Sequence, residues 1–118
     1  MPKEEMRCLK MHDKWVNLIL NNEKTWEIRR TNTKVRGRIG LGNTKTKRCV
    51  GYARIADSIE MTVEDLKAYN NKHQANDFLE EYANGRKTLF AWILEDMQVE
   101  LKPKSYSYST GSWCKIKT

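Results

Sequence analysis

Two strand-forming runs dominate this chain, and no regular helix alternates with them. CVGYARIADSI, from Cys49 to Ile59, alternates apolar side chains in part, and TLFAWILEDMQVEL, from Thr88 to Leu101, is likewise rich in strand formers. A doubly wound parallel sheet needs a helix after each strand. Here the helix signals fall early and in the middle instead. The pattern predicts an α+β fold of five or six short strands, arranged as a small, partly closed barrel with helices at its ends.

Local signals set the expected elements. Asp13 to Asn22 reads as a short helix, with Asp13 as its N-terminal cap and Trp15, Leu18 and Ile19 on one face. Asn21 and Asn22 supply a stop. KTWEIRR, from Lys24 to Arg30, then alternates as a strand, with Trp26 and Ile28 on one side and Thr25, Glu27 and Arg29 on the other. Gly37 to Leu41 is a second short strand, and Gly42 to Lys45 a turn. Gly51 marks a bulge or a close approach of backbone. Thr62 caps a helix whose first turn is acidic, with Asp65 at the capping-box position. A second helical stretch runs from Asp77 to Ala83 and stops at Gly85. The Thr88 run is expected to bend near Glu95-Asp96 and to close at Pro103. Ser105 to Thr110 is a polar connection, and Gly111 to Ile116 a final strand. At 118 residues the chain is read as one domain, 1–118, able to bury a core without disulfides or a metal.

Charge is distributed unevenly. The chain has 22 Lys and Arg against 15 Asp and Glu. Between Lys24 and Arg54 lie ten basic residues and one acidic residue, Glu27, so the excess is concentrated there. Such a one-sided patch attracts polyanions, of which nucleic-acid phosphate is the usual one. Cys8, Cys49 and Cys114 are widely spaced, with no CxxC or Cys/His cluster, so neither a metal site nor a cofactor is expected. An odd cysteine number, with an N-terminal MPKEEMR too polar for a secretory signal, points to reduced thiols and a cytoplasmic setting. No apolar run approaches the roughly 18 residues of a membrane helix, so no membrane partner is expected.

Taken in order, helix, K-T-W-E-I-R, a glycine-bounded strand, V-G-Y-A-R-I, T-V-E-D-L with Lys72-His73, A-W-I-L, K-P-K-S-Y and G-S-W resemble the ASCH domain, a member of the PUA-like superfamily. The resemblance runs from about Cys8 to Ile116, and K-T-W-E-I-R is its most specific part. It implies a small mixed barrel with a cleft beside the first helix and strand. It implies a partner that is RNA or a modified nucleoside, because related domains bind or act on such molecules. Some small relatives are amidohydrolases of acetylated cytidine nucleosides, and one subgroup has been described as ribonuclease. The fold follows more directly from such a likeness than the chemistry does.

On that resemblance Lys24 is the pocket lysine, and Glu27 and Arg29 share its strand. Lys24 can meet a phosphate or base carbonyl as a point charge. Glu27 and Arg29 either pair with each other or use their spare atoms on a base edge. In the amidohydrolases a threonine nucleophile stands where this chain has Glu27. A carboxylate there favours the charged form of Lys24, which works against Lys24 as a general base. Glu27 with water remains a candidate base, so a metal-independent hydrolase with Lys24 and Glu27 as catalytic residues is the alternative to a binding module. His73 is a candidate acid, base or base contact, with an exposed helix-end position as the other reading. Arg30, Arg36, Arg38, Lys47 and Arg48 are candidate phosphate contacts. The resemblance brings Tyr106 and Ser112 toward the cleft. Trp26, Trp92 and Trp113 are assigned to the core, and Trp15 to packing under the first helix.

Overall fold

The computed structural model describes residues 5–107 and 109–117. Residues 1–4 of the MPKEEMR segment, and Tyr108 within the Ser105–Thr110 connection, lie outside the described residues. Six strands run Glu5–Met11 (β1), Trp26–Arg29 (β2), Gly37–Asn43 (β3), Arg48–Thr62 (β4), Thr88–Ser105 (β5) and Trp113–Lys117 (β6). They form one sheet in the order β2-β5-β4-β3-β1-β6. β1 and β3 are parallel, and every other neighbouring pair is antiparallel. Helix α1, Asp13–Leu20, follows β1. Between β4 and β5 lie three short helices, Val63–Leu66 (α2), Asn70–His73 (α3) and Leu79–Ala83 (α4), joined by single 3-10 turns.

The α+β class holds, but the sheet is open and not a barrel. Among the described residues β2 and β6 are its two edges and share no ladder. The reason lies in β2, which is only four residues long and exhausts its pairing on β5. A side chain bridges the gap instead. Arg29, at the end of β2, donates from Nη2 to the Lys10 carbonyl of β1 (2.9 Å) and from Nη1 to Ser112 Oγ just before β6 (3.3 Å).

β1 is the strand that the sequence pattern did not announce. Its EMRCLKM carries three charges, yet Cys8, Leu9 and Met11 are buried between β3 and β6. The last long strand also outruns expectation. β5 bends where Asp96 takes a left-handed φ of 55°, and then continues through Pro103 to Ser105. Gly51 faces Val99 and Cys49 faces Lys104, so Pro103 falls in the bulge between two pairings and no ladder bond needs its missing N–H. Gly51 serves both roles expected of it. A Cβ there would stand 2.7 Å from the Gln98 carbonyl and 2.5 Å from a Leu20 methyl, at the same register break.

The caps divide. Thr62 Oγ1 accepts from the Asp65 N–H (3.0 Å), as its sequence position predicts. Asp13 does not cap α1; His12 holds that position, and the Asp13 carboxylate accepts from Asn43 Nδ2 (2.7 Å) and Asn17 Nδ2 (3.2 Å). That ties the start of α1 to the end of β3. The main core packs α1 on the sheet through Val16, Ile19, Leu9, Leu41, Ile55 and Trp92. A second core lies under α2 and α4, around Leu66, Leu79 and Leu89. Cys8, Cys49 and Cys114, far apart in sequence, are free and buried together in a third cluster beside Ile116 and Tyr52.

Candidate functional site

The turn after α1 decides where Lys24 goes. Asn22 takes φ 63°, and the N–H groups of Glu23 and Lys24 both donate to the Leu18 carbonyl (2.9 and 3.1 Å). Thr25 then donates to Lys72 O and accepts from Leu94 N (2.8 Å each), which wedges this segment between α3 and β5. Lys24 is thereby folded inward and is only 1% exposed. Its Nζ donates to the His73 carbonyl at 2.6 Å and lies 3.5 Å from Glu27 Oε1. The Trp15 ring centroid is 4.8 Å away.

Glu27 is 5% exposed and is held from both sides. Its Oε2 accepts from Arg29 Nε (3.1 Å) and Nη2 (2.8 Å), while Oε1 faces the lysine. Two cations thus converge on one carboxylate, and the buried cluster keeps a net positive charge. Burial pushes the Lys24 pKa below the ordinary lysine value; the Glu27 charge opposes that shift and Arg29 adds to it.

Above these groups opens a cleft of about 720 Å³. Trp15 and Phe78 meet edge to face at 5.6 Å on one wall, with Lys14 Nζ 4.4 Å from the Phe78 ring. On another side Arg30 lies over the Tyr82 ring at 4.3 Å and donates from Nε to the Tyr82 carbonyl (2.7 Å). The cleft therefore offers aromatic faces beside cationic donors. Among the described residues no group of three or more His, Cys, Asp or Glu side chains is arranged to hold a metal ion. No described helix is long and apolar enough to cross a membrane.

The residues singled out in the sequence separate into distinct places. Lys24, Glu27, Arg29 and Arg30 line the cleft, and Ser112 touches it through Arg29. Arg36 and Arg38 line a different groove, together with Arg7 and Lys34. Lys47 stands in the β3–β4 turn with φ 59°, and Arg48 opens β4; neither lines the cleft or the groove. Tyr106 packs its ring against Gly42 beside Cys8, away from the cleft lining. Trp92 is buried, as expected, and stacks on Trp113 (6.0 Å). Trp26 is half-buried and stacks on Tyr69 (5.0 Å). Trp15 packs against both larger cores, in keeping with its assignment, and also lines the cleft.

Lys14, Phe78 and Tyr82 are among the cleft residues that the sequence reading did not place there. Phe78 and Tyr82 fall with Leu79 on one side of the Asp77–Ala83 stretch, and the contact of Phe78 with Trp15 of α1 is what brings this side to the cleft. The one available signal was Lys14-Trp15, a cation beside a large aromatic at the start of a short helix.

His73 is not an exposed helix-end residue; it is fully buried behind Lys24. Its Nδ1 accepts from the Ala75 N–H (2.9 Å) and its Nε2 lies 2.7 Å from the Leu66 carbonyl. One acceptor and one donor make it the neutral Nε2–H tautomer. Burial lowers its pKa, the Leu66 hydrogen bond opposes that, and the Lys24 charge lowers it further. The unfolded chain then binds a proton at a higher pH than the folded one. Stability present above the unfolded value of about 6.5 is therefore lost as pH falls toward the depressed folded value. Urea unfolding at stepped pH should show this decline beginning near pH 6.5, with the imidazole carbons of His73 remaining neutral by NMR at that pH. A His73 that titrates with an ordinary value would contradict it.

Among curated proteins none matches this sequence. Crystal structures of the ASCH protein from Zymomonas mobilis share the fold. The protein itself superposes with a TM-score of 0.76 at 21% identity, covering 84% of this chain and 72% of that one. Its tyrosine-to-phenylalanine mutant gives 0.75 (21%, 84% and 74%), and its serine-to-alanine mutant 0.74 (21%, 89% and 77%). At that identity the likeness is one of fold. The ASCH domain family matches residues 9–104, from β1 into the end of β5, and the chain belongs to that family.

Proposed function

We propose that this ASCH domain binds RNA by seating one nucleotide in the cleft. The observation that carries the reading is the buried cluster of Lys24 and Arg29 around the single carboxylate of Glu27. Two cations with one counter-charge attract an anion, and a phosphate at the cleft mouth supplies it. Trp15, Phe78 and Tyr82 give a base flat faces on which to stack. In this reading Glu27 holds the two cations in place, since both its oxygens are engaged. An RNA partner and three free buried cysteines suit a cytoplasmic, reducing setting.

One observation favours a hydrolase instead. A lysine whose pKa is pushed down by burial is the kind of group that accepts a proton during catalysis. The same experiment separates the two. Lys24→Met keeps the length of the side chain and removes its charge. Titration of labelled RNA decamers should show affinity falling by about tenfold or more in this variant, with an unchanged circular dichroism spectrum. Equal affinity in a folded Lys24→Met sinks the binding site as drawn. Chromatography of the wild-type incubation should show intact RNA and intact acetylated cytidine; product that disappears in Lys24→Met would replace binding with hydrolysis.

A further inference from the structure

We propose that the groove lined by Arg7, Lys34, Arg36 and Arg38 is a second station for RNA phosphates, so that the ligand is a single strand of several nucleotides and not a free nucleoside. This rests on the reading of the cleft as a nucleotide site. The groove measures about 610 Å³ and lies between the start of β1, the segment before β3 and the start of β3. Among the described residues, four basic side chains line it against one acid, Glu5.

Two of these guanidinium groups are held ready. Arg38 lies over the Tyr52 ring at 4.4 Å and donates from Nη2 to Gln98 Oε1 (3.1 Å). Tyr52 is fixed in turn by its hydroxyl, which donates to Glu100 (2.5 Å). Arg36 donates from Nη1 to the Thr33 and Val35 carbonyls (2.9 Å each), and its only acidic neighbour among the described residues is Asp57 at 3.4 Å, with both side chains about half exposed. Arg7 and Lys34 make no ion pair among the described residues. A stacked or carbonyl-anchored guanidinium with spare N–H groups is suited to bind a phosphate at little ordering cost.

The groove and the cleft are joined along two paths. β1 lines the groove with Glu5, Met6 and Arg7 and reaches the cleft lining at Lys10, about 10 Å of extended chain beyond Arg7. The Arg7 and Lys10 side chains stand on opposite faces of the sheet, so a ligand touching both passes round the sheet's edge. The Arg29–Arg36 segment makes the same journey in reverse, leaving the cleft at Arg30 and entering the groove at Lys34. A free nucleoside carries no phosphate to offer the groove, whereas an extended strand can place a base in the cleft and backbone phosphates in the groove at once. A rigid duplex does not suit the arrangement, because a base must leave its stack to meet Trp15 and Phe78. The strand reads as one that places a base in the cleft and lays its backbone toward the groove.

The test compares ligand length. Wild type and the triple variant Arg7→Gln/Lys34→Gln/Arg36→Gln are titrated at several salt concentrations with a randomised RNA decamer, the matching DNA decamer, a polyglutamate peptide and a mixture of the four 5′-mononucleotides. The expected result is an RNA decamer affinity lowered about tenfold or more at low salt, with the slope of log affinity against log salt reduced by roughly 0.7 for each phosphate that the variant no longer neutralises. The loss for mononucleotides should be several-fold smaller. An equal loss for both ligands, or a decamer affinity and salt slope that do not change, overturns the second station. If RNA, DNA and polyglutamate bind wild type equally well, the attraction is one of charge alone and the strand assignment fails with it. The cleft is judged separately by Lys24→Met, which should weaken mononucleotides and decamer alike. A decamer that responds to the groove variant but not to Lys24→Met leaves the groove standing and removes the cleft.

Discussion

Glu27→Ala will lower the folding stability of this domain by about 3–5 kcal/mol, the range for removing one partner of a buried ion pair. The cause is what stays behind. Lys24, 1% exposed, and Arg29, largely buried, would face each other with no carboxylate between them. Arg29 would keep its bonds to Lys10 O and Ser112 Oγ, and Lys24 its bond to His73 O, so neither cation could move freely into water. Urea unfolding near neutral pH measures the loss. Lys24→Met added to Glu27→Ala should return part of it, with a coupling of roughly 0.5–3 kcal/mol, because the second change removes one of the stranded charges. Millimolar phosphate should raise the melting temperature of Glu27→Ala more than that of wild type, since an anion can take the vacant place. A loss below about 1 kcal/mol would mean that the cluster is well hydrated, and the charge argument for the cleft would go with it.

The two long strands were legible because each gathers apolar, β-branched and aromatic side chains over many residues between turn signals, Cys49 to Ile59 with partial alternation and Leu89 to Leu94 as a continuous apolar run. K-T-W-E-I-R was legible as a strand bearing chemistry because Glu27 and Arg29 share one parity, and the structure pairs them directly. β1 was not, because Arg7 and Lys10 interrupt its pattern, and its burial comes from strands more than 30 residues away. The openness of the sheet was equally hidden, since closure depends on whether β2 finds a second neighbour, and no local signal reports that. Lys72-His73 shows a further limit. The pair looks like functional chemistry, yet the His73 ring is spent on backbone groups of its own helical segment, and its carbonyl, which every residue type carries, is what holds Lys24. The basic run from Lys24 to Arg54 looked continuous in sequence. Folding divides it between the cleft, the groove and the β3–β4 turn, because β2 and β3 are separated in the sheet by β5 and β4.

Trp92→Ala is the other large effect, and it links the core to the cleft. Truncating a buried tryptophan costs about 3–5 kcal/mol through reduced apolar burial and the cavity left behind. Trp92 is 3% exposed and sits on β5 between Glu27 of β2 and Ser58 of β4, so it cannot be replaced by a shift of one edge. Its Nε1 donates to the Thr31 carbonyl (3.0 Å), which fixes the chain leaving β2. One face stacks on Trp113, and Arg29 lies 5.6 Å from its ring. Removing the ring therefore frees Thr31, loosens the approach of β6 and takes away the surface against which the Arg29 guanidinium rests. Trp92→Phe keeps an aromatic face but not the donor to the exposed Thr31, and should lose roughly 0.5–1.5 kcal/mol for the hydrogen bond, with a further loss for the smaller ring. Urea unfolding of both variants measures the difference. If the ring also positions Arg29, Trp92→Ala will weaken RNA binding under conditions where it is still fully folded, while Trp92→Phe binds much as wild type. Equal stability losses in the two variants would show that the hydrogen bond to Thr31, and not the ring, carries the contribution of Trp92.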